Sequence, residues 1–173
     1  ILKDIKRKVI TFGIEKDAQV RAKNLKLIDG RYSFELFYED KFLERIHLSV
    51  AGRHNVYNAL ASIGVCLQMD IPIGLIKRSL ESFKNAERRL ELKGIYKGAY
   101  VYDDYGHHPT EIRAVIRAIR EMYPHKRLVL VFQPHRYSRT YYLFDEFVKV
   151  LKEADLCFLT EIYSAGEENT YGV

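Results

Sequence analysis

The sequence predicts an α/β protein in two parts. Three observations carry this expectation. Apolar residues alternate at period two through the first fifty residues, recur at helical spacing from Val56, and fall into alternating strand-like and helix-like runs beyond Arg89. Strands followed by two helices, then strand, helix, strand, helix, strand, describe two regions of different architecture, the second a parallel sheet flanked by helices.

The first region opens with four β-like runs, "RKVITFGI", "AQVRAKNLKLI", "YSFELFYE" and "FLERIHLSV". Asp29-Gly30 separates the second from the third, and an Asp-Gly pair between alternating runs is a strong hairpin signal. Val56, Leu60, Ile63 and Leu67 then share one helical face, and Ile73, Ile76, Leu80 and Phe83 another. After "FKNAERR" come the strands "LELKGIY" and "AYVYDD", then a helix from Pro109 to Met122 with Ile112, Val115, Ile116 and Ile119 inward. The buried strand "RLVLVF", a helix over Leu143 to Leu151 and the buried strand "DLCFLTEI" complete the pattern. The division falls near Lys84 to Arg88, giving residues 1–85 and 86–173 as two domains. The first begins abruptly on a strand and the second ends at "YSAGEENTYGV" without a closing helix, so the chain reads as the end of one domain and most of the next.

With 47% hydrophobic and 29% charged residues the composition is that of a folding, water-compatible chain. No run reaches the roughly 18 apolar residues of a membrane span, and the start lacks a secretion signal, so a cytoplasmic location is expected. Cys66 and Cys157 sit in apolar runs without CxxC spacing and are expected to be reduced core residues. The net charge of +5 is spread among 23 acidic residues, which suits a small anionic substrate as well as nucleic acid.

In parallel α/β sheets function gathers at the loops leaving the C-terminal strand ends, and two polar clusters lie there. "DDYGHHP" (residues 103–109) follows one strand; its carboxylates suit a ribose, its histidines a metal, and Pro109 the start of a helix. The ligand spacing of a metal site is lacking, and no metal is assigned. "QPHRYSRT" (residues 133–140) sets Arg136 and Arg139 beside His135 where a helix begins, an arrangement suited to a small carboxylate. In "GRHNVYNA" (residues 52–59) Asn55 and Asn58 share a helical face, where they fit either an adenine edge or helix capping. Arg88 and Arg89 at the domain junction fit either a solvated pair or a cation swung onto a transferring phosphoryl group.

"GRHNVYNALASI", "AERRLEL", "DDYGHHPTEI", "VFQPHRYSRT" and "IYSAGE", in this order and spacing, closely resemble the Mur ligases of bacterial cell-wall (peptidoglycan) synthesis. The resemblance runs from about Gly52 to Gly166 and fits residues 1–50 only loosely. It implies the end of a central ATPase domain followed by an incomplete Rossmann-like domain. The activity implied is ATP-dependent joining of L-alanine to UDP-N-acetylmuramate through an acyl phosphate, assisted by Mg2+. By motif, Asn55 and Asn58 resemble the adenine-binding pair and Arg89 the γ-phosphate arginine. Asp104 resembles a nucleotide contact, and Tyr105, His107, Arg136 and Arg139 the alanine pocket. The chain departs from the family in lacking a phosphate-binding loop, the Mg2+ ligands and the UDP-sugar domain, so this stretch alone is not expected to catalyse. The reading of another class, a basic nucleic-acid-binding module, requires a contiguous cationic face with exposed aromatics. A metal-dependent hydrolase requires His107, His108 or His135 to converge on one ion.

Overall fold

The computed structural model describes residues 6–15 and 17–173; the first five residues and Lys16 of the expected first domain lie outside the described residues. Two units meet at Lys84 and Asn85.

The first unit is a four-stranded sheet carrying two helices. Its strands β1 (Phe12–Ile14), β2 (Val20–Ile28), β3 (Arg31–Tyr38) and β4 (Lys41–Ala51) lie in sequence order. Strands β2, β3 and β4 are antiparallel neighbours joined by two-residue turns. Asp29 (φ 49°) and Gly30 (φ 74°) form the first turn as expected, both in the left-handed region that a tight hairpin demands. The second turn, Glu39 and Asp40, uses the same region without glycine. There Asp40 pairs with the buried Arg21 of β2, and the Glu39 N–H donates to the Gln19 carbonyl at 2.9 Å. Strand β1, three residues long, runs parallel to β2.

Helices α1 (Arg53–Gln68) and α2 (Ile73–Ser82) cover this sheet. The in-facing residues Val20, Ala22, Phe34, Leu36, Ile46 and Leu48 meet Val56, Leu60 and Ile63 of α1 and Ile76 of α2 in one core. Cys66 packs at the edge of that core, half-buried and unpaired. Residue Gly52 caps α1 with φ 93°, a conformation a side chain would strain.

In the second unit the strands β5 (Glu91–Tyr96) and β6 (Ala99–Asp103) form an antiparallel hairpin around Lys97 (φ 48°) and Gly98 (φ 82°). Helix α3 (Pro109–Met122) follows, then β7 (Val129–Phe132), α4 (Tyr137–Tyr142), α5 (Phe144–Leu151) and β8 (Leu156–Leu159). The α/β class stands as expected, with β7 and β8 parallel. One expectation needs correction: β6 does not join β7, so the described strands form two separate pairs rather than one parallel sheet. Helix α4 is a second difference, because "YSRTYY" carries no apolar period to reveal it. Ile112 and Ile116 of α3 pack with Phe132, Phe147 and Val150 in the core of this unit.

A three-way lock ties the far end of α3 to the approach of β7. Arg120 contacts Asp155 Oδ1 at 2.9 Å, and the Leu128 N–H donates to Asp155 Oδ2 at 2.7 Å. These two donors hold the Asp155 carboxyl down to about 2, against an ordinary 3.8. A carboxyl depressed in the folded state stabilises the fold above its unfolded value and loses that contribution as pH falls through the folded one. The urea midpoint of Asp155→Asn should therefore lie below that of the parent above about pH 4, and the gap should close as pH approaches about 2.

Candidate functional site

The end of β6 turns into α3 through a densely bonded loop. His108 caps the helix: its Nδ1 accepts from the Thr110 N–H at 3.2 Å, and Pro109 follows at the first helical position. Glu111 completes the capping box, accepting from the N–H groups of His107 (2.9 Å) and His108 (3.1 Å). Burial alone would push the Glu111 carboxyl up, but these two donors outweigh it and hold it below the ordinary range.

Asp104 is turned onto its own backbone. Its Oδ1 accepts from the Gly106 N–H at 2.7 Å and its Oδ2 from the Leu90 N–H at 2.8 Å. A Cβ on Gly106 would stand 2.8 Å from Oδ1, so that position admits glycine alone without displacing the carboxylate. The Tyr105 N–H adds a 2.7 Å bond to the Arg88 carbonyl. Residues 88–90 and 104–106 are thereby locked together, with Arg88 (φ 56°) and Leu90 (φ 46°) both left-handed.

This lock distinguishes the two arginines. The Arg88 side chain contacts Asp103 at 3.3 Å and lies 4.9 Å from the Tyr105 ring centre. Arg89 is exposed, forms no ion pair among the described residues, and rests 5.9 Å from the same ring. One guanidinium is tied down by a direct carboxylate contact, and the other is held by a loose cation–π contact and by longer-range attraction to the Glu111 carboxylate.

Beyond Tyr105 runs a row of rings. Tyr105 and His107 are 5.4 Å apart, His107 and His135 5.8 Å, and His135 and Tyr163 5.5 Å. The histidines of the two loops thus lie alongside each other although β6 and β7 share no hydrogen bonds. Burial, with Arg139 and His107 adding repulsion, pushes the His135 imidazole below its ordinary value and favours its neutral form. All four rings line a cavity of about 1140 Å³ bounded by β6, α3 and β7.

The second loop is stitched to the chain after β8. The Arg136 N–H donates to the Tyr163 carbonyl at 2.8 Å, and the Tyr163 N–H to the Pro134 carbonyl at 2.9 Å. Arg136 is left-handed (φ 73°) at the start of α4, an uncommon conformation for a side chain of this size. The Arg139 guanidinium reaches the His135 Nδ1 (3.2 Å) and carbonyl (3.3 Å). Arg136 and Arg139 lie outside the cavity lining and adjoin it through His135 and Tyr163. The sequence expectation of a helix start open to an anion also changes, because α4 has only six residues and Glu167 already accepts from the Ser138 N–H at 3.0 Å. Tyr163, Glu167, Ser138 and Glu111 were not singled out by sequence reasoning, although Tyr163 and Glu167 lie in "IYSAGE", Ser138 in "QPHRYSRT" and Glu111 in "DDYGHHPTEI".

In the first unit, Asn55 and Asn58 are bonded to each other, the Asn58 amide donating to the Asn55 carbonyl oxygen at 3.0 Å. Asn55 in turn donates to the Ala51 carbonyl at 2.7 Å, so it braces the start of α1 while Gly52 caps it. Asn58 is exposed, which leaves its own amide oxygen and second N–H facing solvent. Among the described residues no three His, Cys, Asp or Glu side chains gather as a metal site, and no helix is long and apolar enough to cross a membrane.

Residues 1–66 match the Mur ligase middle domain, and residues 88–171 match the glutamate ligase domain of Mur ligases. The chain belongs to the Mur ligase family. Over all 173 residues it is 61% identical to the UDP-N-acetylmuramate–L-alanine ligase of Aquifex aeolicus and 50% identical to that of Hydrogenobaculum. It spans 38% of the length of each. The crystal structure of UDP-N-acetylmuramate-alanine ligase MurC from Thermotoga maritima superimposes with a TM-score of 0.77 at 29% identity, covering 89% of this chain and 34% of that one. This Mur ligase chain therefore carries its two polar clusters in the segment matched to the glutamate ligase domain, and its asparagine pair in the segment matched to the middle domain.

Proposed function

We propose that this chain is part of a cytoplasmic ATP-dependent ligase that joins L-alanine to UDP-N-acetylmuramate in peptidoglycan synthesis. The observation that carries the reading is the 61% identity over the full chain to a ligase of that name. The geometry is compatible with it. Residues 1–85 act as the end of the ATP-binding domain and residues 86–173 as the amino-acid-binding domain.

Each side chain then has a physical task. The free donor and acceptor of Asn58, oriented by Asn55, match the hydrogen-bonding edge of an adenine. Arg89, exposed and unpaired, is the cation for the γ-phosphate, with Tyr105 holding it loosely until it is needed. Arg136 and Arg139 receive the alanine carboxylate as charge-assisted partners, while Tyr105 and His107 flank its side chain and amine. The amine attacks the carbonyl carbon of the muramyl acyl phosphate; the C–N bond forms, the amine loses a proton, and phosphate departs with the electrons of the broken C–O bond. This chain's residues orient that attack rather than perform the proton transfer.

Asp104 takes a double role, fixing residues 88–90 through one oxygen while its remaining lone pairs face the nucleotide. Mg2+ would neutralise phosphate charge in this chemistry. Among the described residues no three His, Cys, Asp or Glu side chains gather around one point, and its ligands are assigned to the rest of the ligase.

The test is phosphate release by the full-length ligase. Release should require ATP, UDP-N-acetylmuramate and L-alanine together, and turnover with two of the three would overturn the reading.

A further inference from the structure

We infer that Glu167 is a positioning residue for the amino-acid site, holding Arg136 in place for an incoming carboxylate; the inference rests on the reading of Arg136 as that carboxylate's partner. The Glu167 carboxylate accepts from the Ser138 N–H at 3.0 Å and from the Ser138 hydroxyl at 2.7 Å. Those two donors, the backbone one first, keep its carboxyl below the ordinary range and therefore charged. Arg136 Nη1 stands 3.5 Å from the same carboxylate, too far for a strong hydrogen bond.

The division of contacts sets the role. Ser138 anchors Glu167, and Glu167 attracts Arg136 without saturating it. A guanidinium has five N–H donors, so most stay available to a ligand. The half-exposed Arg136 side chain would otherwise sample many rotamers, and a fixed anion beside it reduces the entropy lost when the ligand binds. Charge balance points the same way: two arginines and one fixed carboxylate leave the loop with a net single positive charge, matched to one substrate carboxylate.

The backbone supports this role. Arg136 is held at φ 73° by its N–H bond to the Tyr163 carbonyl, four residues before Glu167 on the same segment. The segment that fixes the Arg136 main chain therefore also fixes its side chain.

A double-mutant cycle in the full-length ligase decides the matter. Glu167→Gln is expected to raise the KM for L-alanine by about three- to fivefold, leaving kcat and the KM for ATP within about twofold. In an Arg136→Ala background the same substitution should have no further effect on the alanine KM. Should Glu167→Gln fail to fold, Ser138→Ala weakens the anchor and carries the same comparison with a smaller rise. An unchanged alanine KM in Glu167→Gln, beside a raised one in Arg136→Ala, would overturn the inference alone. So would an equal rise in both backgrounds. An alanine KM untouched by Arg136→Ala would remove the carboxylate site and the inference with it.

Discussion

Arg136→Ala in the full-length ligase is expected to raise the KM for L-alanine by about 30- to 150-fold, corresponding to the roughly 2–3 kcal/mol of a lost charge-assisted carboxylate contact. The KM for ATP should move by no more than about twofold, because an amino-acid contact has no share in nucleotide binding. Truncation at this position also leaves the Glu167 carboxylate without its cation, although Ser138 still satisfies two of its lone pairs. The fold should therefore survive the change, with the loss concentrated on the amino acid. Arg136→Lys should recover only part of the affinity, since an ammonium cannot present the planar fork of a guanidinium. Equal effects on the two KM values would argue against the assignment.

Arg89→Ala is expected to act on kcat instead. A cation brought onto a transferring phosphoryl group is worth most where charge develops, and removing one such donor costs about 10²–10³ in rate. The KM for L-alanine should stay within about threefold, since Arg89 has no share in the carboxylate site. Its neighbour supplies the control. Arg88 is tied to Asp103, to Tyr105 and, through its backbone N–H, to Glu91. Arg88→Ala should therefore lower the thermal midpoint, because it removes the Asp103 contact and the packing on the Tyr105 ring, with a much smaller effect on turnover. A rate loss in Arg88→Ala as large as that in Arg89→Ala would reverse the two roles.

The sequence reading recovers most elements because their signals are local. Alternation at Phe34 and Leu36 and at Ile46 and Leu48 is written in single strands, and the Asp29-Gly30 turn in two residues. The separation of β6 from β7 is not written locally, since parallel and unpaired strands of "AYVYDD" type look alike along the chain. The Lys97-Gly98 pair between β5 and β6 was available as a hairpin signal and points to the antiparallel pairing found. Helix α4 escaped because its tyrosines and polar residues do not segregate to one face.

Site residues divide in the same way. His108 as the cap of α3 could be read from Pro109 beside it, and the structure shows the bond. Asp104 could be recognised as unusual but not as an acceptor for Leu90, which lies 14 residues earlier. Glu167 and Ser138 are 29 residues apart, and the parallel pairing of β7 with β8, continued by the backbone bonds between Arg136, Pro134 and Tyr163, brings their loops together. Spacing arguments reach across a helical turn or a hairpin, whereas this contact depends on tertiary topology.

The central claim, that the loop after β7 reads a carboxylate, is tested most directly by comparing L-alanine with L-alaninamide, which keeps the amine and methyl group and lacks the charge. The measurement is the ratio of kcat/KM for the two amines in the parent ligase and in Arg136→Ala. A strong preference for alanine in the parent that falls by about 30-fold or more in the variant, through loss of alanine turnover alone, is the predicted result. A preference of equal size in both enzymes would contradict it.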